Sequence, residues 1–167
     1  MPFQHISDPV LKKMNRKITR KEIEATMARV RRQLPDVAWR TTFIVGFPTE
    51  TDQDFEELVD FVSEGHFQHL GIFLYSDEDN IRSSKFGDPI PLSLKEERKN
   101  RLMEIQQKIS REHHQKMVGN LQQVLVGGFS SETDLLLEGR NQYQGPEVDG
   151  VVYINEGNAT SAGFHQV

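Results

Sequence analysis

The 167-residue sequence contains no cysteine. It therefore carries no disulfide, no zinc finger and no thiolate-held cluster of its own. It also lacks an apolar run of membrane-spanning length, and its opening, MPFQHISDPV, has no apolar centre of the kind a secretory signal needs. Together these absences predict a soluble cytoplasmic protein with no membrane contact. There is no Gly-Lys-Ser/Thr phosphate loop, and neither a Ser-His-Asp constellation nor a catalytic carboxylate pair can be argued from spacing. Basic residues run out toward the C-terminus. From Val124 to Val167 the one Lys or Arg is Arg140, against Glu132, Asp134, Glu138, Glu147, Asp149 and Glu156. One base against six acids leaves five excess negative charges, which equals the net charge of −5 for the whole chain. The first 123 residues are balanced, so an acidic module follows a neutral body.

What is present reads as an α/β body with a β appendix. The apolar fraction is 36% and the charged fraction 27%, enough for a core and unlike a disordered chain. Asp8-Pro9 is a helix start, and Thr19 with Glu22 forms a capping box ahead of Ile23, Met27, Val30 and Leu34 at helical spacing. A strand over Trp39–Val45 follows. Thr51 with Asp54 starts a helix that buries Phe55, Leu58, Val59 and Val62 and ends at Gly65. Leu70–Leu74, uncharged and apolar, predicts a buried parallel strand. Ser93 with Glu96 reads as a third capping box, opening a long helix that carries Leu94, Leu102, Ile105, Ile109 and Met117. Beyond it, Gln122–Val126, Leu135–Glu138, Val151–Ile154 and a stretch near Phe164–Val167 predict short strands in the rhythm of a small barrel. We expect residues 1–119, with the long helix at 93–118, to be the second half of an α/β domain whose first strand ends near the N-terminus. Residues 120–167 are expected to be most of a small β-barrel, and both chain ends read as cut.

Candidate chemistry gathers where strands end. RTTFIVGFPTET (Arg40 to Thr51) leaves a strand through Gly-Phe-Pro, and ligands in α/β sheets sit at the carboxyl ends of strands. Gly46 leaves room for backbone to approach a flat ring, and Thr49, Glu50 and Thr51 offer polar contacts. Ordinary strand-exit and helix-entry chemistry explains the same residues, and both readings stay open. Gln4 and His5 are polar groups at such an edge, or else a loop Gln and a surface His. His66, His69, His113 and His114 read as surface residues.

Four stretches together resemble one family: PFQHISDPVLKKMNR, RTTFIVGFPTETDQDFEELVDFV, LGIFLYSDED and GPEVDGVVYI. They are similar to the radical S-adenosylmethionine methylthiotransferases. Gln4-His5, RTTFIVGFP and PEVDG resemble the RimO branch, which methylthiolates an aspartate β-carbon of a small-subunit ribosomal protein, the S-twelve protein. The resemblance implies part of a TIM-like (β/α) radical SAM barrel followed by a TRAM domain. It implies S-adenosylmethionine and two [4Fe-4S] clusters as cofactors, with the cluster cysteines outside this chain, so that this chain alone is inactive and binds no metal. It also implies cofactor contacts. Gln4, His5 and Ser7 match the fourth-strand loop, and Arg16 matches an Arg that pairs with a carboxylate. Arg40, Thr42, Phe43, Val45 and Gly46 match the fifth-strand motif, whose backbone lies near the adenine, and Tyr75 borders that pocket. Relatives continue with Glu-Gly-Thr where this chain has Asp79-Asn80-Ile81. The acidic TRAM region should repel nucleic acid and suit a basic protein, or its acids simply keep a surface soluble. The sister branch that modifies tRNA, and a non-catalytic docking module, are the competing readings.

Overall fold

The computed structural model describes residues 2–78, 83–157 and 159–167. The departure at Asp79-Asn80-Ile81 lies outside the described residues. The chain divides into two compact units, Met1–His113 and His114–Val167.

In the first unit the order is α1 (Asp8–Lys13), α2 (Arg20–Gln33), β1 (Arg40–Val45), α3 (Asp52–Ser63), β2 (His69–Leu74), a single 3-10 turn at Ser84–Phe86, and α4 (Leu92–Met117), whose last residues belong to the second unit. Both expected capping boxes ahead of α2 and α3 form. Thr19 accepts from the Glu22 amide while Glu22 accepts from Thr19, and Thr51 and Asp54 do the same. α2 buries Ile23 and Met27 and ends at Gln33, leaving Leu34 outside the helix, because the residue before Pro35 is disfavoured in the α conformation. β1 and β2 pair in parallel from Arg40↔His69 to Val45↔Leu74. Thr41, Phe43 and Val45 of β1 are buried, in alternation with more accessible neighbours. The first expected strand shrinks to one parallel bridge, Gln4↔Phe43, in which Gln4 N–H donates to Thr42 O and Ile44 N–H to Gln4 O. Phe43, Phe61 and Phe67 meet edge-on at the centre of the core, with centroids 5.7–6.5 Å apart.

β2 is not buried on both faces: Ile72 is 6% exposed but Phe73 is 60% exposed. Among the described residues β2 pairs with β1 alone, and one face of the pair is uncovered. The capping box at Ser93 does not exist, because α4 begins at Leu92 and its first turn bonds instead to the Pro91 carbonyl, which accepts from Leu94 and Lys95. The buried side of α4 is Lys95, Arg98, Leu102 and Gln106. This helical spacing is filled mostly by polar side chains, so the apolar stripe expected from Leu94 to Met117 contributes one fully buried residue, Leu102.

The second unit is a four-stranded antiparallel sheet, ordered β5 (Val152–Ile154), β4 (Leu137–Asn141), β3 (Gln123–Phe129), β6 (Gly163–Gln166). β3 carries a bulge between Val126 and Gly128. The strand expected at Leu135–Glu138 starts later, and Leu135 is 87% exposed in the preceding turn. Local side-chain bonds hold that turn: Ser130 accepts from Glu132 N–H and Thr133 from Leu135 N–H. Among the described residues no helix is long and apolar enough to cross a membrane.

Candidate functional site

The exit of β1 is built from below by buried charge. Gly46 has φ +75°, and its amide donates to Glu50 Oε2 at 2.7 Å, as does that of Phe47 at 3.2 Å. Glu50 is 5% exposed. Its other oxygen accepts from Arg98 Nη1 at 2.9 Å, while Arg98 Nη2 donates to Asp52 at 2.6 Å. Burial pushes the Glu50 carboxyl up, opposed by Arg98 and the two amides. One helical turn earlier on α4, Lys95 is 3% exposed. Its ammonium donates to the Tyr75 carbonyl at 2.9 Å and to Asp88 Oδ2 at 2.6 Å. α4 thus ties together the loops leaving both parallel strands. The space beside Gly46, expected to admit a flat ring, is filled by the Lys95 stem: a Cβ built there would sit 2.3 Å from Lys95 Cγ.

The surface reading of His5 is overturned. His5 is fully buried, and its Nδ1 accepts from Ser7 N–H at 3.0 Å. That bond assigns the ring proton to Nε2, which has no hydrogen-bond partner among the described residues and lies 3.9 Å from Glu50 Oε2. Burial lowers the His5 pKa to about 4, against the raising effect of Asp54, so the ring is neutral at pH 7. Ser7 Oγ donates to Asp54, which also caps α3. Burial would raise the Asp54 carboxyl, but its bonds to Ser7 and Thr51 outweigh this and hold it below its ordinary value. His66 is half-buried rather than free at the surface, paired with Glu64 at 2.6 Å.

Above this floor lies a cleft of about 490 Å³ at the carboxyl ends of β1 and β2. Ile44, Leu74 and the edge-on pair Phe47 and Tyr75, centroids 5.3 Å apart, give it apolar walls. Lys13, Arg16 and Glu78 bring charge of both signs to the lining. Arg16 reaches it because the chain turns through Asn15 at φ +58° after α1. Such a lining suits a flat heteroaromatic ligand that also carries charged groups.

Of the expected site residues, Arg16 and Tyr75 line the cleft. Gln4 sits on the bridge to β1 in a left-handed conformation at φ +72°, uncommon for a non-glycine residue. His5, Ser7 and Gly46 belong to the polar floor. Thr42 is half-buried on β1, and the Phe43 and Val45 side chains point into the core. Arg40 is not brought to the group. It opens β1 opposite His69, at the far end from Val45. Sequence reasoning missed Lys13, Phe47, Glu78, Lys95 and Arg98. For the last two a signal existed, since Lys95, Arg98, Leu102 and Gln106 recur at helical spacing.

The profile of the radical SAM superfamily matches residues 1–62, and that of the TRAM domain matches residues 118–167. A ribosomal protein uS12 methylthiotransferase RimO from Bdellovibrio bacteriovorus is 52% identical over 159 residues, 95% of this chain and 35% of that protein. The chain belongs to the radical SAM methylthiotransferases, on the RimO branch. A RimO from Geobacter sulfurreducens is 45% identical over 95% of this chain and 36% of its own length, and one from Aquifex aeolicus 44% over 98% and 38%. The chain thus spans little more than a third of the length of these RimO relatives. The radical SAM match covers β1, its exit and most of α3, but stops short of Tyr75, Lys95 and Arg98. The family implies S-adenosylmethionine and iron–sulfur clusters. With no cysteine, this chain offers a cluster no thiolate.

Proposed function

We propose that this chain is the cofactor-floor and substrate-docking part of a cytoplasmic enzyme that adds a methylthio group to an aspartate β-carbon of ribosomal protein uS12. The observation that carries the reading is the cleft at the carboxyl ends of β1 and β2, in a chain 52% identical to a RimO protein over 95% of its length. The parallel pair and the Gln4 bridge then read as one section of a TIM-like (β/α) barrel, whose uncovered face, with Phe73, would meet the remaining strands.

The cleft fits S-adenosylmethionine. Phe47, Tyr75, Ile44 and Leu74 would receive the adenosyl group, Arg16 or Lys13 the methionyl carboxylate, and Glu78 the methionyl ammonium. When bound with a reduced cluster, this cofactor supplies radical chemistry. What the present residues do is orient it. Lys95 holds the two loop exits in register, and Glu50 organises the Gly46 and Phe47 amides from beneath. Without a cysteine, this chain has no thiolate to hold either cluster.

The second unit suits a basic protein partner. Glu132, Asp134, Glu147 and Glu156 are exposed on it. A cleft of about 400 Å³ lined by Phe129, Leu135, Leu137 and Ile154 opens beside Glu156 and offers apolar contact next to negative charge. The test is tandem mass spectrometry of uS12 from cells with and without the gene. Loss of the methylthio-aspartate on deletion, restored by the wild-type gene and not by one encoding Tyr75→Asp, supports the reading. Unchanged uS12 in the deletion strain overturns it.

A further inference from the structure

Charge in the first unit is sorted along the chain in a way the enzyme reading does not use. Residues 12–40 hold ten Lys and Arg against three Asp and Glu, whereas residues 41–81 hold ten acids and no base. Part of this is internal. Arg20 pairs with Glu24 at 2.8 Å and feels Glu57 and Glu64 of the α3 region, and Arg31 bonds to His66. Lys13 and Arg16 belong to the cleft. Arg40 opens β1 and has a contact of its own, so five cations remain: Lys12, Lys17, Lys21, Arg29 and Arg32. All are exposed, and none pairs with a carboxylate among the described residues.

Three of these five share one face of α2. On α2, Lys21, Ala25, Ala28, Arg29 and Arg32 recur at helical spacing on the face opposite buried Ile23 and Met27. Ala25 and Ala28 are both exposed, so the cations stand around small side chains that let a partner's backbone come close. Asp8 accepts a hydrogen bond from Arg20 N–H at 2.7 Å, which holds the start of α1 against the start of α2. Lys12 lies one helical turn after Asp8, and Lys17 two residues before the α2 cap, so both lie near this contact in the chain.

We propose that this α1–α2 stripe binds the phosphate backbone of RNA. Exposed cations along one helix face and the segment leading into it, with alanine between those on the helix and no aromatic side chain among them, suit a line of phosphates met without base reading. A lipid surface would call for bulky apolar residues interleaved with the cations. The stripe has none within α2, and Leu34, 58% exposed, stands beyond the helix end. That the RNA is ribosomal rests on the uS12 reading. The basic stripe would then grip the RNA around a ribosomal protein, while the acidic second unit meets the protein itself.

The test is fluorescence anisotropy of the 167-residue chain with a labelled mixed-sequence RNA duplex, repeated across salt concentrations. Five phosphate contacts predict a log–log salt slope of about −4 to −5, hence an affinity loss of about 10²- to 10³-fold between roughly 50 and 200 mM salt. The triple variant K21E/R29E/R32E should keep its fold by circular dichroism and flatten the slope by about three. The charge-matched variant K108E/R111E/K116E, changed at exposed positions of α4, should leave the slope as it was. Absence of binding at low salt, equal loss in both variants, or binding to phosphatidylserine vesicles but not RNA would each overturn the proposal. None of these outcomes bears on uS12 modification, which the mass-spectrometric experiment reads separately.

Discussion

Lys95 lies across Gly46, with its ammonium on the Tyr75 carbonyl, 2.9 Å away. A residue on the long helix thereby sets the spacing between the two strand exits that frame the cleft, and the glycine is small because a lysine occupies its side. Substituting Gly46→Ala would combine a left-handed φ with a Cβ placed 2.3 Å from Lys95 Cγ. The expected cost is about 2–4 kcal/mol, read as a lower urea midpoint with an unchanged slope. A loss below about 0.5 kcal/mol would show that the lysine stem moves aside freely.

The Glu50–Arg98 pair is buried on both sides, so breaking it from either end should differ in outcome. Arg98→Met leaves a buried carboxylate facing two amides with no counter-charge and should cost about 3 kcal/mol. Glu50→Gln keeps an acceptor for one amide and leaves Arg98 bonded to exposed Asp52, so about 1–2 kcal/mol is expected. Denaturant melts of the two variants check the order. A larger loss for Glu50→Gln would mean that the amide bonds outweigh the ion pair.

His5 makes stability depend on pH. Its folded pKa, about 4, lies below the ordinary 6.5, so the unfolded chain takes up this proton first as pH falls. Stability from the neutral ring is complete above pH 6.5 and is lost on acidification toward pH 4, by up to about 3 kcal/mol. Glu50, displaced upward, acts in the opposite direction, since its folded form holds a proton that the unfolded form has released. Comparing the wild type with His5→Asn isolates the histidine. The variant should be less stable at pH 7 and show a shallower decline between pH 6.5 and 4, and parallel profiles would refute the assignment.

The capping sites give a sharp contrast. Thr19→Ala removes an N-cap bond at α2 and should cost about 1 kcal/mol. Ser93→Ala, one residue inside α4, should be neutral or stabilising by a few tenths of a kcal/mol. Thermal melts of the two variants separate a real cap from a sequence that only looks like one.

In the second unit, Gly139 is fixed by close approach. An added Cβ would lie 2.6 Å from both the Leu125 carbonyl and Val124 Cγ1 on the neighbouring strand. Gly139→Ala should break the β3–β4 pairing and abolish hydrogen-exchange protection of the Leu125 amide, which lies on the β4 side of β3, whereas Gly150→Ala, with open space around it, should leave that protection intact.

Read alone, the sequence determined the elements whose signals are local. The Thr19 and Thr51 caps, the apolar stripe of α3, the glycine after it, the change to short strands past α4, and the family resemblance all lie within runs of a few residues. Only the tertiary structure decided what Gly46 makes room for, that His5 is buried and neutral, that Arg40 stands at the far end of its strand, and that α4 buries a lysine and an arginine. The reason is physical. Each of these facts rests on contacts between residues far apart in the chain, such as 46 with 95 or 50 with 98. A long charged side chain leaves the same mark in a sequence whether it lies in solvent or threads through the core with its charge matched.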